Sequence, residues 1–406
     1  MKSKLPDPQA QLAELKRHTT QLISEADLLA KLKRGRPLRV KLGVDPTAAE
    51  IHLGVGIVLW KLRQFQELGH QVVLIVGDFT ARIGDPSGRD VTRPQLSAEQ
   101  IAHNMKSYTE QAFKILEPER TEIRYNSEWL APLRFTELME LTSKYTVARL
   151  LERDDFAKRF RAQRPISVLE FLYPLAQAYD SVAVQADVEL GGNDQLFNLL
   201  AGREIQGRYG QEPQVVLCLP LLEGIDGQRK MSKSYGNAIG ITASPGEMYG
   251  RLMSIPDSLT EKYVQLLTEL DWQALQAQHP KAQKQALARE IVRLYHGKEA
   301  ARQAEEEFER VFAQGGRPQE VQQVTIPRAA LKPEGTIWIV DLLERSGLVA
   351  SRSEARRLIA QGAVELEGRR VSSSDFDPQI SDGLLLRVGK RRFVELQLAA
   401  AQSEEQ

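Results

Sequence analysis

Two short runs carry the residue types that phosphate chemistry needs. The first, Gly43-Val44-Asp45-Pro46-Thr47 followed by His52-Leu53-Gly54-Val55, stands where a strand-like segment gives way to a helical one. A helix N-terminus there offers unpaired backbone N–H groups and the positive end of the helix dipole, which suits a phosphate. Gly54 lets backbone approach closely, and the His52 ring can donate to a phosphate oxygen. The second run is Lys230-Met231-Ser232-Lys233-Ser234. Two lysines and two hydroxyls in one loop can gather the charge of a triphosphate as it rearranges, a stabilisation that grows toward the transition state. Alone, the first run reads equally as a histidine capping a turn and the second as a solvated basic loop. Together on one chain they point to a nucleoside triphosphate.

A third group is Tyr173, Gln177 and Asp180, spaced i, i+4 and i+7. At 100° per residue these fall within about 60° of one another on a helix. Phe171, Leu172, Leu175, Val182 and Ala183 surround the stripe. A carboxylate among apolar neighbours needs a partner, so a polar ligand is a better account than a self-satisfied network.

The elements that must hold these residues are visible in the pattern. Leu38–Val44 alternates as a strand does, His52–Leu68 repeats apolar residues with a helical period and is closed by Gly69, and Val72–Val76 reads as a buried strand. Two strands joined by a helical crossover make a parallel βαβ unit. That predicts a Rossmann-like, doubly wound α/β sheet with its site at the strand C-termini. Further strands are expected at 122–125, 187–190 and 214–219, and helices at 168–179 and 195–207. Residues 1–225 form this catalytic domain with a connecting insertion, and 226–315 the lysine loop and a small helical domain. Residues 316–336, rich in Gly and Pro, read as a linker, and 337–406 as a small α+β domain.

Composition narrows the class. At 406 residues, several domains are expected. Lys plus Arg number 54 and so do Asp plus Glu, which removes any case for nonspecific attraction to DNA or RNA and leaves only local patches. A single cysteine, Cys218, excludes an intramolecular disulfide and a multi-cysteine zinc site. No signal segment or membrane span is evident, so a cytoplasmic protein is expected.

His52-Leu53-Gly54 and the Lys230–Ser234 run are similar to the two signatures of class I aminoacyl-tRNA synthetases. Gly84-Asp85-Pro86-Ser87-Gly88, the segment Tyr173–Asp180 and Gly191-Gly192-Asn193-Asp194-Gln195 narrow this further. They resemble the bacterial tyrosyl-tRNA synthetases that carry the same lysine loop, and the resemblance spans roughly Leu38 to Leu396. It implies ATP- and Mg²⁺-dependent activation of L-tyrosine to tyrosyl-adenylate and transfer to the 3′ end of tRNA(Tyr), by a homodimer. By the family's pattern Tyr173, Gln177 and Asp85 bind the substrate ammonium, Gln195 lies on its carboxylate side and Asp180 accepts the phenol proton. Gly43, Asp45, Thr47, His52 and Gly54 line the ATP site, Gly192 and Asp194 take the ribose, and Arg89, Arg93, Lys230 and Lys233 embrace pyrophosphate. No protein metal site and no nucleophilic side chain is implied.

Two departures stand out. The second histidine of the usual His-x-Gly-His signature is Val55, and Lys41 occupies the place of a tyrosine that assists in recognising the phenol. Two other readings remain: a tryptophanyl-tRNA synthetase, which shares the fold, or a synthetase-like RNA-binding protein that has lost catalysis.

The C-terminal domain resembles the RNA-binding module of ribosomal small-subunit protein four. Ser351 and Glu354 form a capping-box pattern, Gly362 stops the helix and a hairpin turns at Glu367-Gly368. Arg352 and Arg356 share one helical face, with Arg357 adjacent, suited to tRNA phosphates. Residues 337–406 hold ten basic and eleven acidic residues, so the module is not basic as a whole. A second candidate RNA patch is Arg149–Arg164, where six basic residues oppose three acidic ones.

Overall fold

The computed structural model describes residues 5–46, 50–85, 97–313, 322–389 and 392–399. Thr47, Arg89 and Arg93 lie outside these described residues. The chain forms two compact units, 1–305 and 306–406.

The first unit is built on a six-stranded sheet. Its strands are β1 (Gln21–Ile23), β2 (Arg39–Val44), β3 (Gln71–Val76), β4 (Thr121–Tyr125), β5 (Val188–Gly192) and β6 (Val215–Leu219), in the order β1-β6-β5-β2-β3-β4. Only β1 runs antiparallel, at the edge against β6. The central strands are apolar on both faces: Val72, Val73, Leu74, Ile75 and all of Val215–Leu219 are buried, as a parallel sheet covered by helices requires. From β2 the chain proceeds outward through β3 to β4, then returns to β5 and proceeds the other way to β6. The order therefore reverses between β2 and β5, where α/β sheets open a ligand crevice. Those two strands pair at Val40↔Val188 and Lys41↔Glu189 and then part.

Two helices carry the site. Leu53–Glu67 follows β2, and Gly69 after it adopts φ +92°, a conformation that favours glycine. Val168–Val184 opens on a capping box between Ser167 and Glu170 and runs beyond the expected Tyr179, until Gln185 takes φ +49°. The residues after 226, expected as a separate helical domain, share the first unit up to 305. One reason is direct: the Trp60 indole on Leu53–Glu67 donates to the Tyr295 hydroxyl (3.1 Å) on the helix Pro280–His296.

The second unit holds a five-stranded sheet of β7 (Gln322–Ile326), β8 (Val364–Leu366), β9 (Arg369–Arg370), β10 (Leu384–Val388) and β11 (Arg392–Leu398), in the order β7-β11-β10-β8-β9. Part of the expected linker is therefore a strand. Gln-Gln-Val-Thr-Ile alternates polar and apolar residues, so β7 pairs in parallel with β11 and buries Ile326 in the core. The helix Arg352–Ala360 is capped by Ser351 Oγ, which accepts from the Glu354 N–H (3.3 Å). Glu354 reaches back to the N–H of Ala350 rather than Ser351, so only half of the expected capping box forms. The hairpin turns at Glu367 and Gly368, both at positive φ, which matches the right-handed twist of β8 and β9.

Candidate active site

A cavity of about 500 Å³ opens at the crevice between β2 and β5, a size suited to a small-molecule site. Gly43, Asp45, His52, Gly54, Asp85, Tyr173, Gln177, Asp180, Gly192, Asp194, Gln195, Lys230 and Lys233 all line it. Residues separated by almost 200 positions in sequence are thus brought to one space.

The two phosphate runs meet through backbone stitching. Leu53 N–H donates to Ile239 O (2.9 Å) and Ile241 N–H to Ile51 O (2.9 Å), which lays the segment after the lysine loop against the His52 turn. A Cβ on Gly54 would lie 3.1 Å from His52 Nδ1 and 3.4 Å from Met231 Cβ, so glycine is what lets the histidine and the loop close on one another. Met231 is buried, and the loop folds around Asn237, whose Oδ1 accepts from the Ser232 N–H (2.8 Å) and whose Nδ2 donates to Asp226 (2.9 Å). Lys230 pairs with Asp194 (3.1 Å) and Lys233 with Glu50. All four side chains are a third to a half exposed. Burial, with Lys233 and Lys230 nearby, pushes the His52 ring down to about 4, so it is neutral at pH 7, and its Nδ1 has no hydrogen-bond partner among the described residues.

At the other end of the cavity Asp180 and Tyr173 are buried. Asp180, 2% exposed, accepts from the Trp129 indole (2.8 Å) and more loosely from the Asn126 amide (3.4 Å). Burial pushes its carboxyl up to about 7, while Lys41 and these two donors pull it down. The Tyr173 hydroxyl donates to Asp45 Oδ2 (2.8 Å), and Thr80 donates to the other oxygen (2.8 Å). Asp85 accepts from Gln195 (3.0 Å) and from Arg153 (3.1 Å); Asn198 closes the ring by donating to Gln195 and accepting from Arg153. Gln177 Oε1 and the Tyr108 hydroxyl, both from side chains that line the cavity, have no partner among the described residues.

The stripe expected from helical spacing is therefore real and faces the cavity. Several neighbours escaped sequence reading: Asn126 and Trp129 just after β4, Thr80, Tyr108, and Arg153. The last belongs to the basic run Arg149–Arg164, expected as an RNA patch. Most of that run has intramolecular partners: Arg149 pairs with Glu152 and Glu204, Arg153 with Asp85 and Asp155, Lys158 with Asp154, and Arg159 with Glu170. Lys41, which occupies the place of the family's phenol-recognising tyrosine, does not line the cavity and instead pairs with Glu189.

In the second unit, Arg352 pairs with Asp341 (2.8 Å) and Glu344 (3.1 Å). Arg356 lies over the Trp338 ring (5.2 Å), and Arg357 is exposed.

Comparison with known proteins matches two stretches of the chain to family models. Residues 33–313 match the family model for tRNA synthetases class I (W and Y), and 337–382 match the S4 domain. A protein of Thermotoga maritima named tyrosine–tRNA ligase is 53% identical over 96% of this chain and 98% of its own. One of Haemophilus influenzae with the same name is 49% identical over 95% and 96%. Among solved structures, a truncated mitochondrial tyrosyl-tRNA synthetase of Aspergillus nidulans superposes with TM-score 0.62 at 24% identity, covering 74% of this chain and 93% of that one. The tyrosyl-tRNA synthetase of Archaeoglobus fulgidus complexed with L-tyrosine superposes with TM-score 0.60 at 23% identity, over 74% and 100%. Both superpositions confirm the fold.

Proposed function

The chain belongs to the tyrosine–tRNA ligases, a family of class I aminoacyl-tRNA synthetases, and from that premise we propose which side chains carry its two half-reactions. The chain activates tyrosine with ATP and transfers it to tRNA. The observation that carries the assignment of roles is Asp180: a buried carboxylate facing the cavity, with two N–H donors already in place and room for a third from the ligand. The phenol O–H of tyrosine supplies that third donor. Phenylalanine would leave the acceptor desolvated and unpaired, at a cost of about 1–3 kcal/mol or more for a charged group.

Gln177 Oε1, Tyr173 and Asp85 hold the substrate ammonium, and Gln195 stands on the carboxylate side. Asp194 and Gly192 take the ribose; Gly43, Asp45, His52 and Gly54 line the ATP site, and the resemblance assigns Thr47 to ATP as well. The substrate carboxylate attacks the α-phosphate in line and pyrophosphate departs, so positioning and charge neutralisation are what the chain contributes. Lys230 and Lys233 leave Asp194 and Glu50 for the phosphates, and the family resemblance assigns Arg89 and Arg93 to the same task. Mg²⁺ bound with ATP would supply further charge neutralisation, and Glu50, once Lys233 has left it, is an oxygen donor of the kind that would hold the ion. Val55 removes one donor from the His-x-Gly turn. Tyr108 supports a replacement: Asn104 and Gln111 on its helix bind the Pro46 carbonyl and the Ile51 N–H, and its hydroxyl, with no partner among the described residues, belongs to a side chain that lines the same cavity as His52 and Val55.

The helical residues that follow the lysine loop are assigned to the anticodon side of the tRNA, and the S4 domain to holding tRNA(Tyr) through Arg356 and Arg357, with Arg352 sharing its charge with Asp341 and Glu344. Phe135, Met139, Val147, Phe160 and Val168 are exposed apolar side chains gathered along 135–168, which supports a homodimer. No helix among the described residues is long and apolar enough to cross a membrane, and we assign the enzyme to the cytoplasm. The test is exchange of pyrophosphate into ATP with each amino acid supplied separately. Tyrosine alone should support exchange; exchange with tryptophan, or with none, contradicts the proposal.

A further inference from the structure

Lys41 and Glu189 are register partners across β2 and β5, at the point where those strands part. Their side chains are 0% and 1% exposed. An ammonium so placed has lost its water, and only specific partners offset that loss. Nζ pairs with Glu189 Oε1 (2.8 Å) and donates to Ser181 Oγ (2.7 Å) and to the Gln177 carbonyl (3.1 Å). Ser181 donates on to Glu189 Oε2 (3.2 Å), and the Gln214 amide donates to the same oxygen. A Cβ on Gly202 would lie 2.7 Å from Gln214 Nε2 and 3.1 Å from Glu189 Oε2, so glycine there makes room for the network. Gln177 and Ser181 bracket Asp180 on the helix Val168–Val184. The cation thus grips the turn that presents the carboxylate.

Building on the assignment of Asp180 to the tyrosine hydroxyl, we propose that Lys41 is a positioning residue for tyrosine recognition. Without touching substrate, it fixes the Gln177–Ser181 turn and, balanced by Glu189, sets the charge behind Asp180 so that the carboxylate meets the phenol ionised. The groups that face Asp180 are Lys41 from β2, Glu189 from β5, Asn126 and Trp129 after β4, and Tyr173 from its own helix. Burial raises the Asp180 carboxyl, Lys41 lowers it, Trp129 and Asn126 lower it, and Glu189 raises it. Lys41 and its counter-ion act with opposite sign, which general loosening of the fold does not imitate.

The experiment is the pH profile of the tyrosine KM in pyrophosphate exchange, with the full chain and saturating ATP. For the unaltered chain the KM should rise as the pH falls through the Asp180 midpoint. Lys41→Met should move that midpoint to higher pH, and a shift of one unit raises the KM about tenfold at a pH below it. Glu189→Gln should move it to lower pH, and Lys41→Arg should hold it near its original place. Midpoints that stay put, or that move the same way in Lys41→Met and Glu189→Gln, overturn the proposal. If Lys41→Met does not fold, Glu189→Gln decides alone: a midpoint below that of the unaltered chain supports the proposal, and one at or above it overturns it. Failure of the Asp180 assignment itself looks different, because then Asp180→Asn leaves the tyrosine KM and its pH profile unchanged.

Discussion

The two ends of the cavity are built on opposite physical terms. At the tyrosine end, Asp180, Asn126 and the Lys41–Glu189 pair are buried and Trp129 is half-buried, with Asn126 and Trp129 donating to Asp180 from the turn and short helix that follow β4. At the nucleotide end, Lys230–Asp194 and Lys233–Glu50 are a third to a half exposed, and such ion pairs are worth about 0–1 kcal/mol. Choosing one amino acid requires an acceptor that cannot relax toward a wrong ligand. Handling pyrophosphate requires cations that exchange one anion for another at little cost. Burial serves the first task and exposure the second.

Variants can break this contrast, and the largest effect is expected at the exposed end. Lys230→Ala with Lys233→Ala should lower the rate of activation by about 10²–10³ for each transition-state donor lost. Thermal stability should change little, because surface pairs contribute so little; unfolding and exchange measured on the same sample check both. Lys41→Met should do the reverse in stability, costing about 3–5 kcal/mol by leaving Glu189 buried without its partner, as read from denaturant midpoints. Replacing both Lys41 and Glu189 by apolar residues should restore part of that loss.

Asp180→Asn should lower kcat/KM for tyrosine by roughly 10–150-fold, the range for a hydrogen bond to a charged group. Its stability should respond to pH with a definite sign. In the folded chain the carboxyl titrates near 7, above its ordinary 3.8. The stability that Asp180 contributes is therefore full below the ordinary value and is lost as the pH rises to about 7. Asp180→Asn escapes that loss, so its stability relative to the unaltered chain should increase from pH 4 to pH 7, by at most about 1.4 kcal/mol per unit, and level off above. Smaller still, Tyr108→Phe should slow activation by about 2–12-fold, the worth of one neutral hydrogen bond, with the tyrosine KM unmoved. In the second unit, Arg357→Ala should raise the tRNA KM more than Arg352→Ala, since Arg352 already shares its charge with Asp341 and Glu344.

What could be read from the sequence was local. The alternation of β2, the period of Leu53–Glu67 and the spacing of Tyr173, Gln177 and Asp180 need only their own neighbours to be legible, and each matches the fold. Arg153 was not legible as a site residue. Within its own run it is one charge among six, and its partner Asp85 is brought to it only by the folded chain. Lys41 was legible only as a departure from the family's tyrosine, because a strand pattern does not reveal that it meets a carboxylate, Glu189, on the neighbouring strand. β7 read as linker because Gly and Pro flank it, while its pairing with β11 is parallel and distant in sequence. Asn126 and Trp129 carry no motif; a polar residue and an indole just past the C-terminal end of β4 were the available signal, and strand ends are where such sheets bind.

The contrast between the two ends is tested most directly by single-turnover formation of the adenylate, measured against tyrosine and ATP concentration in two variants. Asp180→Asn should weaken tyrosine binding while leaving the ATP dependence intact, and Lys230→Ala with Lys233→Ala should slow the chemical step while leaving tyrosine binding intact. If each variant disturbs tyrosine binding and the chemical step alike, the two ends do not divide the work and the account is wrong.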